Sequence, residues 1–254
     1  MASTTSSILV TGASRGIGRA IALRFAREGW SIVGVARKQS ELDALGAEVR
    51  ALGASYRAIA LDVANGAAVA AALRDVDVDV LVNNAGAGIL KPFVDLTAEE
   101  WHQMVDVNVN ALFHVTRAVL PGMMARNSGH VCTIGSIGGR SVFAGGTCYG
   151  ATKAFVTAWA ENLMIEVRER GVKVSVVMPG AVATEFSGHT VREQDQWKLK
   201  PDDVAEAVAR VVLTPPNVLI HRLEVRTLTV PASGRGLERL NIWPAASSGP
   251  ILPT

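Results

Sequence analysis

Tyr149 and Lys153 stand four positions apart, so on a helix their side chains share one face. A free phenol titrates near pH ~10, too high for ready proton exchange at neutrality, and a neighbouring ammonium stabilises its anion. Such a pair suits general acid–base work. Ser136 lies 13 residues upstream of Tyr149, just past a β-branched run, at the edge of a crevice. Asn108 falls inside a helical pattern, in Asp106-Val107-Asn108-Val109. Asparagine is a poor choice there unless its amide makes a specific bond.

A second constellation opens the chain. Thr11-Gly12-Ala13-Ser14-Arg15-Gly16-Ile17-Gly18 runs directly from a strand-like stretch into a helical one. Gly12, Gly16 and Gly18 let the backbone approach a ligand closely, and a helix N-terminus offers free N–H groups with a partial positive charge. In a chain with 24 glycines the bare pattern says little; its place between the first strand and the first helix points to a nucleotide pyrophosphate.

The elements that must position these residues are legible from two alternating periods. Short β-branched runs at 7–11, 31–36, 57–61, 80–82, 130–134, 173–177 and 223–230 read as buried parallel strands. Helical patterns lie between them at 16–28, 40–52, 65–74, 97–126, 149–170 and 202–213. Thr97 with Glu100 makes a capping box, and Pro201 precedes two acidic residues of a first turn. This alternation predicts one α/β domain over residues 1–230: a doubly wound, Rossmann-like parallel sheet of about seven strands with helices on both faces. The ligand crevice then lies at the carboxyl ends of the strands. Residues 231–254 lose periodicity and read as an irregular tail.

Composition narrows the field. The 254 residues carry 25 Lys+Arg against 23 Asp+Glu, a net charge of +2 and no broad basic field for nucleic acid. No stretch reaches the roughly 18–20 apolar residues of a membrane span, and the opening MASTTSS lacks the basic and apolar regions of a secretion signal. A cytoplasmic protein is expected. Cys132 and Cys148 form no CxxC pair. The five histidines show no metal spacing, so no metal site is expected.

The TGxxxGxG spacing of residues 11–18, the turn Asn83-Asn84-Ala85-Gly86 and the set Asn108, Ser136, Tyr149 and Lys153 together resemble the short-chain dehydrogenase/reductase family. The resemblance implies an oxidoreductase that interconverts a carbonyl and a secondary or primary alcohol by hydride transfer. Tyr149 would be its acid/base, Ser136 would hold the reacting oxygen, and Lys153 would acidify the phenol and bind the cofactor ribose. Asn108 would open its helix around a water that relays protons to Lys153. It also implies cofactor contacts from Gly12, Ser14, Arg15, Gly16, Ile17 and Gly18 in the loop, and from Asp62 and Val63 around the adenine. Asn84, Ala85 and Gly86 would lie at the nicotinamide ribose, with Pro179, Gly180, Val182 and Thr184 near the carboxamide.

The cofactor itself follows from the end of the second strand, where a carboxylate would accept from a ribose 2′-hydroxyl. Ala36 supplies none, whereas Arg37, with Arg15 opposite, offers a planar fork to a 2′-phosphate. NADP(H) is expected over NAD(H). By the same resemblance, residues 185–200 would form a substrate lid. Phe186, His189 and Trp197 are its candidate contacts, joined by Phe143 and by Arg140, the one strong cation before Tyr149 and a partner for a substrate carboxylate. Strings such as Phe143-Ala-Gly-Gly and Thr184-Glu-Phe-Ser look like the branch of NADP-dependent 3-hydroxy acid and small-alcohol dehydrogenases. Reduction of 3-oxoacyl thioesters, and a non-catalytic NADPH-binding sensor or scaffold, stand as alternatives. By resemblance the long helices at 97–126 and 149–170 would assemble a homotetramer, or a dimer.

Overall fold

The computed structural model describes residues 5–228. Seven strands form one parallel sheet: β1 (Ser7–Thr11), β2 (Ser31–Ala36), β3 (Tyr56–Ala60), β4 (Val80–Asn83), β5 (Gly129–Ile134), β6 (Val172–Pro179) and β7 (Arg222–Val225). Their spatial order is β3-β2-β1-β4-β5-β6-β7. The chain winds outward from β1 in one direction, then returns to β4 and winds outward in the other. A crevice opens where the winding reverses, between the carboxyl ends of β1 and β4.

The strands are apolar along their whole length because both faces are covered. Ile8 and Val10 of β1 face one core with Ile21, Phe25, Leu45 and Val208, while Leu9 between them faces the other with Val115, Leu163 and Val174. The first core lies under α1 (Gly16–Arg27), α2 (Gln39–Ala51) and α7 (Pro201–Val212). The second lies under α3 (Gly66–Ala72), α5 (Ala111–Ala125) and α6 (Thr147–Val167). Phe25 is fully buried and meets Trp30 edge-on at 5.1 Å, the geometry aromatic quadrupoles favour.

Three expected elements differ in detail. The helix expected over 97–126 is divided into α4 (Ala98–Val105), a π-helical turn (Asp106–Asn110) and α5. The capping box of Thr97 and Glu100 starts it, with both reciprocal bonds formed at 2.9 and 3.2 Å. The helix expected over 149–170 begins at Thr147, and its last three residues, Arg168–Arg170, tighten into a 3-10 turn. The last strand stops at Val225 because its partner β6 stops at Pro179, directly opposite. Expected strand residues 229–230 and the expected tail at 231–254 lie outside the described residues.

Candidate active site

The phosphate loop is laced to the neighbouring turn. The Thr11 hydroxyl accepts from the backbone N–H groups of both Asn84 and Ala85 at 3.0 Å. The Asn84 amide donates to the Thr11 carbonyl at 2.9 Å, so this side chain, expected at the nicotinamide ribose, braces the loop. Gly12 takes φ +65°, and a Cβ on Gly18 would sit 2.2 Å from the Gly12 carbonyl oxygen. No side chain is tolerated there, and Gly18 acts by close packing while Gly12, Ser14, Arg15, Gly16 and Ile17 line the cleft. The start of α1 has no side-chain cap and no acidic residue in its first turn, which leaves its N–H groups free for a pyrophosphate.

The cleft measures about 1620 Å³ and runs from this loop past the ends of β2, β4, β5 and β6. At the β2 end, Arg15, Arg37 and Lys38 line it, with Ala36 in place of a carboxylate. Glu41 also reaches this corner, paired with Lys38 at 3.0 Å. The Ser14 hydroxyl, with the Lys38 ammonium, holds the Glu41 carboxyl below the usual range. Asp62 and Val63 line the adenine side, where the Asp62 carboxylate already accepts from Ala64 N–H at 3.0 Å. An uncapped helix end beside three cations fits a phosphorylated dinucleotide.

The proton-handling residues meet on the opposite wall. Ser136 follows β5, and its oxygen accepts from Gly138 N–H at 3.0 Å, leaving the hydroxyl hydrogen to donate into the cleft. Tyr149 and Lys153 lie one turn apart on α6, with the ammonium 6.0 Å from the phenol ring centre. Lys153 is buried and donates to the Ile134 carbonyl at 3.0 Å. Burial pushes its ammonium down to about 8. Burial likewise raises the Tyr149 phenol, opposed by its hydrogen bond to Ser136. Desolvation is the larger of the two, so the phenol stands above its ordinary value.

Asn108 sits in the π-helical turn, where its amide donates to the Ala87 carbonyl at 2.8 Å and the Thr152 hydroxyl at 3.0 Å. Its oxygen accepts from Ala87 N–H at 2.8 Å. A Cβ on Gly86 would lie 3.4 Å from the Asn108 oxygen and 3.7 Å from the Lys153 ammonium. The Asn84–Gly86 turn, the widened helix and α6 therefore converge on one spot.

On the substrate side, the Phe186 ring lies 5.8 Å from that of Tyr149, and Phe143 and His189 line the cleft nearby. Pro179, Gly180, Val182 and Thr184 form its floor. Two expected contacts are not among the lining residues. Arg140 turns away to pair with Glu224 on β7 at 2.6 Å. Trp197 packs beneath the Lys198 ammonium, 5.9 Å from its ring centre. Lys198, unremarked in the sequence, lines the cleft instead. Its signal there was only its place within the lid stretch. Cys132 is buried with its thiol pushed up to about 12, and burial raises Cys148 as well, so neither is a nucleophile. Among the described residues no cluster of metal-ligating side chains occurs.

The family model described as short chain dehydrogenase matches residues 6–195. The chain belongs to this family. The NADP-dependent 3-hydroxy acid dehydrogenase of Escherichia coli is 38% identical over 248 residues, spanning 91% of this chain and 99% of that protein. Serine 3-dehydrogenase of Rhizobium radiobacter is 33% identical, spanning 86% and 92% respectively. The closed form of serine dehydrogenase complexed with NADP+ superposes with a TM-score of 0.81 at 39% identity, covering 86% of this chain and 94% of that one. An alcohol dehydrogenase from Thermococcus sibiricus, complexed with 5-hydroxy-NADP, gives 0.83 at 31% identity, covering 89% and 97%. This short-chain dehydrogenase is an oxidoreductase that interconverts an alcohol and a carbonyl.

Proposed function

We propose that this dehydrogenase acts on small 3-hydroxy acids and their 3-oxo counterparts through Tyr149, with NADP(H) as its cofactor. One observation carries the reading: Tyr149, Ser136 and Lys153 open onto the same cleft as the uncapped end of α1 and Arg15, Arg37 and Lys38. The whole-length likeness to the 3-hydroxy acid and serine dehydrogenases supports the substrate class.

Bound NADP(H) supplies or accepts hydride at its nicotinamide ring. Tyr149 delivers a proton to the carbonyl oxygen during reduction and takes it from the alcohol during oxidation. Ser136 donates to that same oxygen and fixes its position while charge develops on it. Lys153 has three ammonium hydrogens, of which the Ile134 carbonyl takes one. The remaining two serve the cofactor ribose, and the charge lowers the cost of forming the Tyr149 phenolate. Asn108 holds the α6 turn and the Ala87 backbone in register behind them.

Exposed Phe113 on α5 with Phe155 and Ile165 on α6 support a homotetramer or dimer built on these helices. No helix among the described residues is long and apolar enough to cross a membrane, which is compatible with the cytoplasmic location in this reading.

The test is an initial-rate survey of the purified enzyme with NADP+ and NAD+ against 3-hydroxy acids, 2-hydroxy acids and simple secondary alcohols. The reading predicts the highest kcat/KM for a 3-hydroxy acid with NADP+. Preference for NAD+, or for uncharged alcohols over every acid, contradicts it.

A further inference from the structure

The lid carries a buried charge cluster centred on Asp195. Asp195 is 4% exposed although it closes a short 3-10 turn, Glu193–Asp195, in a surface segment. Both of its oxygens are occupied. One accepts from the Lys198 ammonium at 2.6 Å. The other accepts from the His189 ring Nε2–H at 2.7 Å and from Arg192 N–H at 2.9 Å. The Lys198 ammonium foremost, then the Arg192 N–H and His189, hold the Asp195 carboxyl far below the usual carboxylate range. Burying a carboxylate is costly, and capping the Arg192 N–H of its own turn employs only one of its oxygens. What the carboxylate adds is orientation of two nitrogen-bearing side chains.

Those side chains face the cleft. Lys198 and His189 both line it, with side chains 19% and 35% exposed. Their position is fixed from below. Leu199, next to Lys198, pairs in parallel with Val182, and the rung is held by Ala183 N–H to Leu199 O at 2.8 Å and Leu199 N–H to Ala181 O at 3.0 Å. His189 is tied one turn past Phe186, the ring against Tyr149, through His189 N–H to Phe186 O at 3.2 Å. The cluster is therefore anchored at both ends to the wall where the reacting carbon must sit.

The other cations of the cleft are already placed. Arg15, Arg37 and Lys38 lie at the adenosine end, with Arg15 joined to Glu185 at 3.2 Å; Arg19, on α1, is paired with Glu48, and Lys153 serves Tyr149. Arg140 is held by Glu224 outside the cleft. On the substrate side, among the described residues, the positive charge left to meet an anion is that of Lys198. One of its three ammonium hydrogens goes to Asp195, and the others are available to an anionic oxygen.

We propose that Lys198, oriented by buried Asp195 and accompanied by His189, forms the subsite for the substrate carboxylate and so selects hydroxy acids over uncharged alcohols. Lys198 is a specificity-determining residue, and Asp195 is a positioning residue that acts through it. This rests on the 3-hydroxy acid reading above and names the residues that impose it.

The experiment compares a short 3-hydroxy acid with its methyl ester, a pair that differs chiefly in charge, using wild-type, Lys198→Met and Lys198→Arg holoenzymes with NADP+. Wild type is expected to favour the acid, and Lys198→Met to lower the acid-to-ester ratio of kcat/KM tenfold or more, chiefly through the KM of the acid. Lys198→Arg keeps the charge and is expected to restore most of that ratio. Calorimetric titration of the same acid into Tyr149→Phe and Tyr149→Phe/Lys198→Met, each loaded with NADP+, should show a matching weakening, and an unchanged NADP+ Kd certifies the fold. Asp195→Asn should raise the KM of the acid with less effect on that of the ester. If wild type prefers the acid but Lys198→Met leaves its KM and its Kd unchanged, the subsite is overturned and the hydroxy acid reading stands. If wild type shows no preference for the acid, both are overturned.

Discussion

Asn108 donates to the Thr152 hydroxyl at 3.0 Å, and Thr152 passes its own hydrogen to the Tyr149 carbonyl at 2.8 Å. A short relay thus joins the π-helical turn to the backbone of the catalytic helix. The extra residue of that turn is stabilised by the three bonds of the Asn108 amide to Ala87 and Thr152.

Asn108→Ala removes all three and leaves the Ala87 backbone groups without their side-chain partner. A loss of about 2 kcal/mol in unfolding free energy is expected, since buried donors and acceptors left unpaired each cost on the order of 1–3 kcal/mol. Activity should fall 10- to 100-fold through misplacement of α6. Denaturant melts and kcat/KM measured on one preparation check this; unchanged values for both would show that the turn stands without its amide.

Much of this arrangement was legible in the sequence because it is local. The strand–loop–helix setting of Gly12–Gly18, the β-branched runs and the four-residue spacing of Tyr149 and Lys153 are each set by neighbouring positions. What was not legible depends on residues far apart in the chain. Arg140 reads as a free cation until the fold brings Glu224 beside it, 84 residues away. That Asn84, which lines the cleft, also braces the phosphate loop shows only once the β1–β4 pairing brings the Thr11 carbonyl to its amide. The end of the last strand is set by Pro179 on its partner. Lys198 carries no local signal, because only the folded lid turns it toward the cleft. The effect of burial on Tyr149 and Lys153 is likewise a property of the packed wall.

Burial of Lys153 has a measurable consequence for stability. Its folded value of about 8 lies below that of an unfolded lysine, ~10.4. Between these values the unfolded chain binds more protons than the folded one, so wild-type stability rises with pH across that window. Below about pH 8 the folded enzyme carries a burden of roughly 3 kcal/mol from this ammonium. Lys153→Met removes it while giving up the bond to Ile134. The variant should be inactive yet about 2 kcal/mol more stable than wild type at pH 7, an advantage that vanishes at about pH 9.7 and turns into a deficit on the order of 1 kcal/mol above about pH 10.5, where only the lost bond counts. Thermal melts of the cofactor-free proteins across that range measure it. A variant less stable at pH 7 than wild type would show that the ammonium is better solvated than its surroundings indicate.

Cofactor choice is expected to turn on Arg37, which lines the adenosine end with no carboxylate at Ala36. Arg37→Asp exchanges a bidentate donor for a repelling charge. The Kd for NADPH should rise at least tenfold while that for NADH holds or falls, as read by fluorescence titration. Equal weakening of both would place Arg37 outside the 2′-phosphate contact.

The central claim is that the Tyr149 hydroxyl, held by Ser136 and backed by Lys153, moves the proton that accompanies hydride transfer. The most direct measurement is a single-turnover reduction of a 3-oxo acid by stoichiometric NADPH, comparing wild type with Tyr149→Phe after equal cofactor occupancy is confirmed. General acid–base contributions are on the order of 10²–10⁴-fold. The account predicts an unchanged NADPH Kd and a transfer rate at least 100-fold slower in the variant. A variant that binds NADPH and transfers hydride as fast as wild type would contradict it.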